Sequence, residues 1–456
     1  MLNEYTGSYR GKRVGFVGLG VSNLPVVKRF LASGALCTVR DKKDITQEYG
    51  YLAEEGVEFI CGEGYLDSIK ESLLFLSPAV RPDLPGLAAA RENGTYITSE
   101  MQEFFKLCPC KKIAVTGSDG KTTTTTLIAK LLEAAGKKVF LGGNIGVNLF
   151  DSLDLIGEND YAVIELSSFQ LMKMDISPDI AVITNIAPNH LDWHRDLAEY
   201  VDSKCNIFRF QDKNGVLVLN ADDAYCRGFA AEARGEVRFI SGEGREEAEF
   251  TFDKTGIKQN GELIVPEKGI KIVGRHNRYN YCQAYAAVRD TVPPECLRKV
   301  ASEFGGVEHR IELVRELQGV KYYNSSIDSS PSRTKACLES FKGKVIVISG
   351  GYDKHIPYDP MGELFVRKVK FAVLCGATAP KIAQALDDAG YKDYVIINDF
   401  EQAVCAARAK AQKGDSVVLS PASASFDMFK NFAERGNRFK DIVLGFREDV
   451  WKNSTK

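Results

Sequence analysis

The sequence predicts an α/β protein of three domains, each built on a largely parallel sheet. Two observations predict it. At 456 residues the chain is too long for one core, since domains commonly run to roughly 100–200 residues. Short apolar runs ending in glycine or polar residues also alternate with amphipathic helical stretches, and they do so in three successive blocks. The blocks place an N-terminal Rossmann-like domain at 1–98, a central domain of P-loop type at 99–306 and a C-terminal Rossmann-like domain at 307–456.

Composition narrows the partners. Lys plus Arg at 59 against Asp plus Glu at 61 gives a net charge of −2 with no basic block, which argues against nucleic acid or a membrane surface as main partner. Eleven cysteines, an odd number, predict reduced thiols in the cytoplasm, and the opening MLNEYTGSYRGKRV lacks an apolar signal core. No apolar run approaches the ~18 residues of a spanning helix. Cys108 and Cys110 flank a proline and are read as linker residues rather than zinc ligands.

In the first block, RVGFV, GLGVSN, LPVVKRFLASG and ALCTVRD read as strand, turn, helix and strand. Gly18 and Gly20 supply two glycines of a dinucleotide-type turn, Asn23 takes the place of the third, and Asp41 ends the second strand where a ribose-binding acid would sit. On its own this turn fits a dehydrogenase, a mononucleotide pocket without nicotinamide chemistry, or a βαβ turn with no ligand. A helix at Gly86–Glu92 follows, and the block closes near Thr98.

The central block is organised around KIAVTGSDGKTTTT at 112–125. Here Gly117, Ser118, Asp119 and Gly120 form a turn whose N–H groups can face an anion. Lys121 adds a positive charge, and Thr122 and Thr123 open a helix, with the Thr122 hydroxyl available to Mg²⁺. The longer P-loop pattern wants a glycine where Val115 stands, and the alternative is an ordinary strand-turn-helix with a surface lysine. Five successive threonines, Thr122 to Thr126, make a poor default helix opening, which favours the phosphate reading. Ligands of parallel sheets gather at strand carboxyl ends, so Thr116, Glu165 and the segment Asn185–His190 should converge on this loop. Glu165 ends an apolar strand, where a carboxylate is a buried liability or a metal ligand. His190 and His194 lie four apart, but Pro188 and the lack of a nearby Cys or third His argue against zinc; His194 is read as a surface or satisfied histidine. Asn260-Gly261 marks a hairpin in a small antiparallel addition over 249–273. KVIVISGG, KFAVLCG, YVIIND and SVVLSP then build the third block.

Taken together, TGSDGKTTT at 116, GNIG at 143, ELSSFQL at 165, NIAPNHLDWH at 185, YVDSKCNIF at 200, GRHNRYN at 274, EHRIE at 308, GGYDK at 350 and SPASASFDMFKNFAERG at 420 resemble the Mur ligase family over nearly the full length. The last motif points to its D-glutamate-adding members. The resemblance implies an ATP-dependent ligase with UDP-N-acetylmuramoyl-L-alanine, D-glutamate and ATP as partners, working as a monomer with Mg²⁺. It implies metal contacts from Thr122, Glu165, Ser167, His190 and Lys204, the last carbamylated by CO₂, although composition alone would make Lys204 a solvated surface lysine. Asn277 and Asn280 are implied to hold the nucleotide. Arg310 is implied to reach the terminal phosphate, with a hinge salt bridge as the alternative. Gly18, Gly20, Ser22, Asp41 and Asn144 are implied for the UDP-linked substrate. Lys354, Ser425 and Phe426 are implied for the amino acid, the Phe426 ring itself being expected in the core. The chain departs from the family at YNSSIDSSPSRT, where Ser325 and Ile327 replace an acid and a lysine and leave Asn324 and Ser329 as polar candidates. A sister ligase for another amino acid, a folylpolyglutamate-synthetase-like ligase, a nicotinamide oxidoreductase and a non-catalytic nucleotide-binding regulator are the rival readings.

Overall fold

The computed structural model describes residues 1–447 other than Val21, Asp192 and His355. Contacts divide the chain into two compact units, residues 1–269 with 278–301, and residues 270–277 with 302–456.

The first unit contains two sheets. One comprises β1 (Arg13–Val17), β2 (Leu36–Asp41), β3 (Glu58–Cys61), β4 (Leu73–Leu76) and β5 (Tyr96–Thr98), all parallel in the order β3-β2-β1-β4-β5. The other comprises β6 (Lys111–Thr116), β7 (Val139–Gly143), β8 (Tyr161–Glu165), β9 (Ile180–Ile183), β10 (Val216–Asn220), β11 (Glu236–Ser241), β12 (Phe250–Asp253), β13 (Gly256–Gln259) and β14 (Glu262–Pro266). Its order is β14-β13-β12-β11-β10-β9-β6-β8-β7. It is parallel from β7 to β12 and closes in an antiparallel hairpin whose turn residues Asn260 (φ 49°) and Gly261 (φ 85°) take the left-handed conformations a tight hairpin needs.

Both sheets share one hydrophobic core. Phe16 stacks on Phe75 at 5.4 Å, and Phe150, from a short 3₁₀ helix at Phe150–Leu155, meets Phe75 edge-on at 6.5 Å. The strands of β4 and β9 are buried along their whole length, as continuous apolar runs covered on both faces require.

The second unit carries a six-stranded sheet of β15 (Glu312–Leu317), β16 (Val320–Asn324), β17 (Val345–Ser349), β18 (Val369–Leu374), β19 (Tyr394–Ile396) and β20 (Ser416–Leu419). The order is β15-β16-β20-β17-β18-β19, with β15 antiparallel and the rest parallel. The predicted α/β class is therefore met by three predominantly parallel sheets. No helix among the described residues is long and apolar enough to cross a membrane.

Candidate active site

β6 lies between β8 and β9, and the chain passes from β8 on one side of it to β9 on the other. That crossing opens a crevice at the carboxyl ends of β6 and β9, the place where open α/β sheets take ligands. The turn 117–120 sits there. Gly117 has φ 143° and a Cβ on it would drive into the Thr184 hydroxyl; Gly120 has φ 80° and its Cβ would stand 2.5 Å from Asn280 Oδ1. Both positions therefore exclude side chains.

The helix Lys121–Ala134 begins with Gly120 as N-cap and no side-chain cap, which leaves its first N–H groups to an anion. Its threonines are accommodated by bonding backward: Thr125 Oγ1 donates to Lys121 O at 2.8 Å and Thr126 Oγ1 to Thr122 O at 2.7 Å, while Thr124 Oγ1 donates to Asn280 Oδ1 at 3.3 Å. Lys121 folds over the turn, its Nζ donating to the carbonyls of Gly117 and Ser118, each at 2.9 Å.

The segment after β9 staples this turn. Ser118 N donates to Asn185 O at 2.9 Å, Asp119 N to Asn185 Oδ1 at 3.1 Å, and the Ser118 hydroxyl sits 2.8 Å from both Ala187 N and Tyr200 OH. Glu165 ends β8 almost fully buried. Its Oε1 accepts from Asn144 Nδ2 at 2.6 Å, and its Oε2 has no hydrogen-bond partner. A buried carboxylate oxygen left over in this way is costly without a cation, so the residue suits a hard metal ion. Ser167 forms a capping box with Gln170, and His190 is exposed, in a left-handed conformation (φ 54°), with its ring 5.0 Å from Phe169.

Lys204 is the largest departure from what composition alone implies. It belongs to the helix Leu197–Arg209, is 2% exposed, and donates to Gly117 O at 2.9 Å and Thr116 Oγ1 at 3.3 Å. Burial, followed by the neighbouring Lys121 charge, holds its ammonium well below the usual lysine range, against the opposing pull of Glu165 and Asp119. His194 is likewise buried, with Nε2 2.9 Å from the Ser168 hydroxyl.

In the first sheet, Gly18 follows β1 with φ 75°, and a Cβ there would meet Ser77 Oγ at 2.5 Å. Asn23 occupies the third-glycine position for a reason the sequence did not reveal: it is buried and its Nδ2 donates to Gly18 O at 2.8 Å, tying the turn to the helix start. Gly20 has open space around it, Ser22 caps the helix Asn23–Ala32 without a side-chain bond, and Asp41 ends β2 at the same edge, accepting from Lys43 N at 2.9 Å.

The other candidates belong to the second unit. Asn277 donates to Val273 O at 2.6 Å, and Arg310 N donates to Val307 O at 2.9 Å. Loops after β17 and β20 lie side by side through Gly350 N to Pro421 O (2.7 Å) and Tyr352 N to Ala424 O (2.9 Å), and exposed Lys354 stands within 6.0 Å of the Phe426 ring, while Ser425, the residue before Phe426, is buried. The expectation of a core position for the Phe426 ring is corrected: it is 59% exposed, meeting only the edge of Tyr352 (5.8 Å) among described rings. The preceding loop is held from below instead, by fully buried Arg435, which donates to Ala424 O, Ser423 O and Ser326 O at 2.9–3.1 Å. Arg435 lies within the C-terminal motif, but its sequence neighbourhood carries no signal of this burial. Asn324 is spent on structure, its Nδ2 bonding His309 Nδ1 and Glu312 Oε2. An acid does stand within the altered motif, one residue after Ile327: buried Asp328 accepts from Ser420 Oγ at 2.8 Å, and burial pushes its carboxyl up to about 6.

Residues 115–288 match the family model of the Mur ligase middle domain and residues 309–423 that of the Mur ligase glutamate ligase domain. Similarity to whole proteins runs further. The UDP-N-acetylmuramoylalanine–D-glutamate ligase of Ruminiclostridium cellulolyticum is 47% identical over 97% of this chain and 98% of its own, and that of Acetivibrio thermocellus 49% over the same shares. The chain belongs to the Mur ligase family. Among solved Mur ligase structures, the UDP-N-acetylmuramate–alanine ligase of Thermotoga maritima shares the fold at a TM-score of 0.59 and 19% identity, across 95% of this chain and 99% of that one. Membership of the Mur ligases carries with it the use of ATP and Mg²⁺.

Proposed function

We propose that this chain joins D-glutamate to UDP-N-acetylmuramoyl-L-alanine at the expense of ATP, a step in making the peptidoglycan precursor. The observation that carries the reading is the near-half identity, end to end, to relatives named for that reaction. A stapled phosphate turn with Lys121 folded over it supports the use of a nucleoside triphosphate.

A carboxylate resists attack by an amine, so the L-alanyl carboxylate first takes the γ-phosphoryl group of ATP, giving an acyl phosphate and ADP. The amine of D-glutamate then attacks the carbonyl carbon, and the tetrahedral intermediate collapses to the amide, releasing phosphate and a proton. The chain contributes position and charge. N–H groups of 117–123 hold the phosphates, Lys121 exchanges its own loop carbonyls for phosphate oxygens, and Asn280 fixes the turn from behind; Asn277 and Arg310 are assigned to the nucleotide by resemblance. Bound Mg²⁺ supplies charge neutralisation at the transferring phosphoryl. The unpartnered oxygen of Glu165 fits such an ion, with Thr122, Ser167, His190 and a carbamate on Lys204 as further donors. Carbamylation joins the neutral Lys204 amine to the carbon of CO₂ and releases a proton, turning a buried base into an anionic oxygen ligand.

Gly18, Gly20, Ser22, Asp41 and Asn144 are assigned to the UDP-linked substrate, and Lys354, Ser425 and Phe426 to D-glutamate. The division into working domains at 1–98, 99–306 and 307–456, a cytoplasmic location and a monomeric state belong to the same reading. The test is phosphate release that requires both UDP-N-acetylmuramoyl-L-alanine and D-glutamate, with the ligated product seen by mass spectrometry. Release with another amino acid in preference to D-glutamate, or none at all, overturns it.

A further inference from the structure

Arg81, Glu199 and His194 stand in one line of contacts, hydrogen-bonded from Arg81 to Glu199 and at 3.4 Å from Glu199 to His194, that links the first sheet to the segments of the second assigned to the metal. Arg81 follows β4 in a proline-flanked turn, with Pro82 next to it. Its guanidinium grips Glu199 with both arms, Nη2 to Oε1 at 2.9 Å and Nη1 to Oε2 at 3.1 Å, donates to Trp193 O at 3.0 Å and lies 5.1 Å from the Trp193 ring centre. Asp83 holds the far side of the same fork through Nε and Nη2 at 2.9 and 2.8 Å. A two-armed Arg–carboxylate pair is the most geometrically exacting ionic contact a protein makes.

Glu199 stands in the first turn of the helix that carries Lys204, where it also accepts from Arg195 N at 2.9 Å. Its Oε2 faces His194 Nδ1 at 3.4 Å. With the proton on Nδ1 toward that carboxylate, Nε2 is left to accept from the Ser168 hydroxyl 2.9 Å away. Ser168 adjoins Ser167, and Phe169 stacks flat on His194 (5.6 Å, 13°) while its edge meets His190 at 5.0 Å. The chain of contacts therefore ends on the segments from which Ser167, His190 and Lys204 project.

We propose that Arg81, Glu199 and His194 form a positioning relay that holds the metal-ligating segments in register with the loop after β4. It rests on the ligase reading for the identity of those ligands. None of the three donates to the ion itself; they act through Ser168 and the helix Leu197–Arg209. Partners that orient metal ligands from outside typically change metal affinity by roughly ten- to a hundredfold when removed.

The test uses full-length enzyme with Mn²⁺ as the probe ion in the presence of ADP, counting free Mn²⁺ by its EPR signal and following folding by circular dichroism. Arg81→Met keeps the stem, and His194→Phe keeps the ring packed on Phe169. Each should weaken Mn²⁺ binding by roughly tenfold, and the double variant should be no worse than the weaker single, because both cut one relay. Arg81→Lys and His194→Gln, which keep charge or a polar atom, should fall between; they also decide the matter if the first pair does not fold. Mn²⁺ affinity unchanged in the folded variants, or losses that add in the double variant, overturns the relay. Product formation by the wild type is measured in the same preparations. A wild type that makes no product while the Mn²⁺ effects appear defeats the ligase reading and leaves the relay standing.

Discussion

The side-chain nitrogen of Lys204 donates to the carbonyl oxygen of Gly117 at 2.9 Å, so a helix residue 87 positions away is docked on the first glycine of the phosphate turn. A buried amine held below its ordinary range is the form that attacks CO₂. Lys204→Ala should be nearly inactive, and acetate or propionate should restore part of the turnover by standing in for the carbamate. A ¹³C-labelled CO₂ NMR signal present in wild type and missing from the variant checks the modification; an active enzyme with an unmodified lysine rules it out.

Removing the charge at the phosphate turn should be worse for turnover than for folding. Lys121→Ala is expected to lower the turnover number by at least about 10²-fold, the scale of one preorganised charge partner. Steady-state kinetics at saturating ATP, with melting temperature as control, decides this.

Gly117→Ala places a Cβ against the Thr184 hydroxyl at φ 143°, where an L side chain is strained in any case. ATP binding measured by calorimetry should fall below detection while circular dichroism shows the variant still folded. Normal ATP affinity would show that the turn tolerates the side chain and is not a tight phosphate cradle.

For the amino acid, Lys354→Ala should raise the KM for D-glutamate about ten- to a hundredfold, the value of one charge-assisted hydrogen bond, with the KM for ATP nearly unchanged. Unaltered D-glutamate kinetics would take Lys354, and with it the loop pair after β17 and β20, out of the pocket.

Stability should fall with rising pH because of Glu100. Its carboxyl is buried, Oε1 has no partner, and burial, with Asp151 adding to it, raises it from 4.5 to about 8. The folded state thus prefers the protonated form: the contribution is full below about 4.5 and is lost as pH climbs through about 8. Glu100→Gln should match the wild type in melting temperature near pH 4.5 and exceed it increasingly from pH 6 to 9, by an amount corresponding to a few kcal/mol at the top of the range. A constant difference across that range would place the proton elsewhere.

What the sequence by itself determined is local. Backbone conformation at Gly117 and Gly120, the strand-turn-helix around them, the Asn260-Gly261 hairpin and the glycine turn at Gly18 follow from sterics acting over a few residues, and they were legible for that reason. Lys204, His194, Phe426 and Arg435 were decided only by the tertiary structure. Whether a lysine is solvated or buried against Gly117, or whether a phenylalanine faces the core or the solvent, depends on what distant chain covers it. The helix Leu197–Arg209 shows a buried face in its spacing, but spacing does not say that Thr116 and Gly117 lie beneath it, nor that Lys121 raises the cost of a second charge there. Desolvation and nearby charge set what such groups can do, and both are properties of the packed molecule.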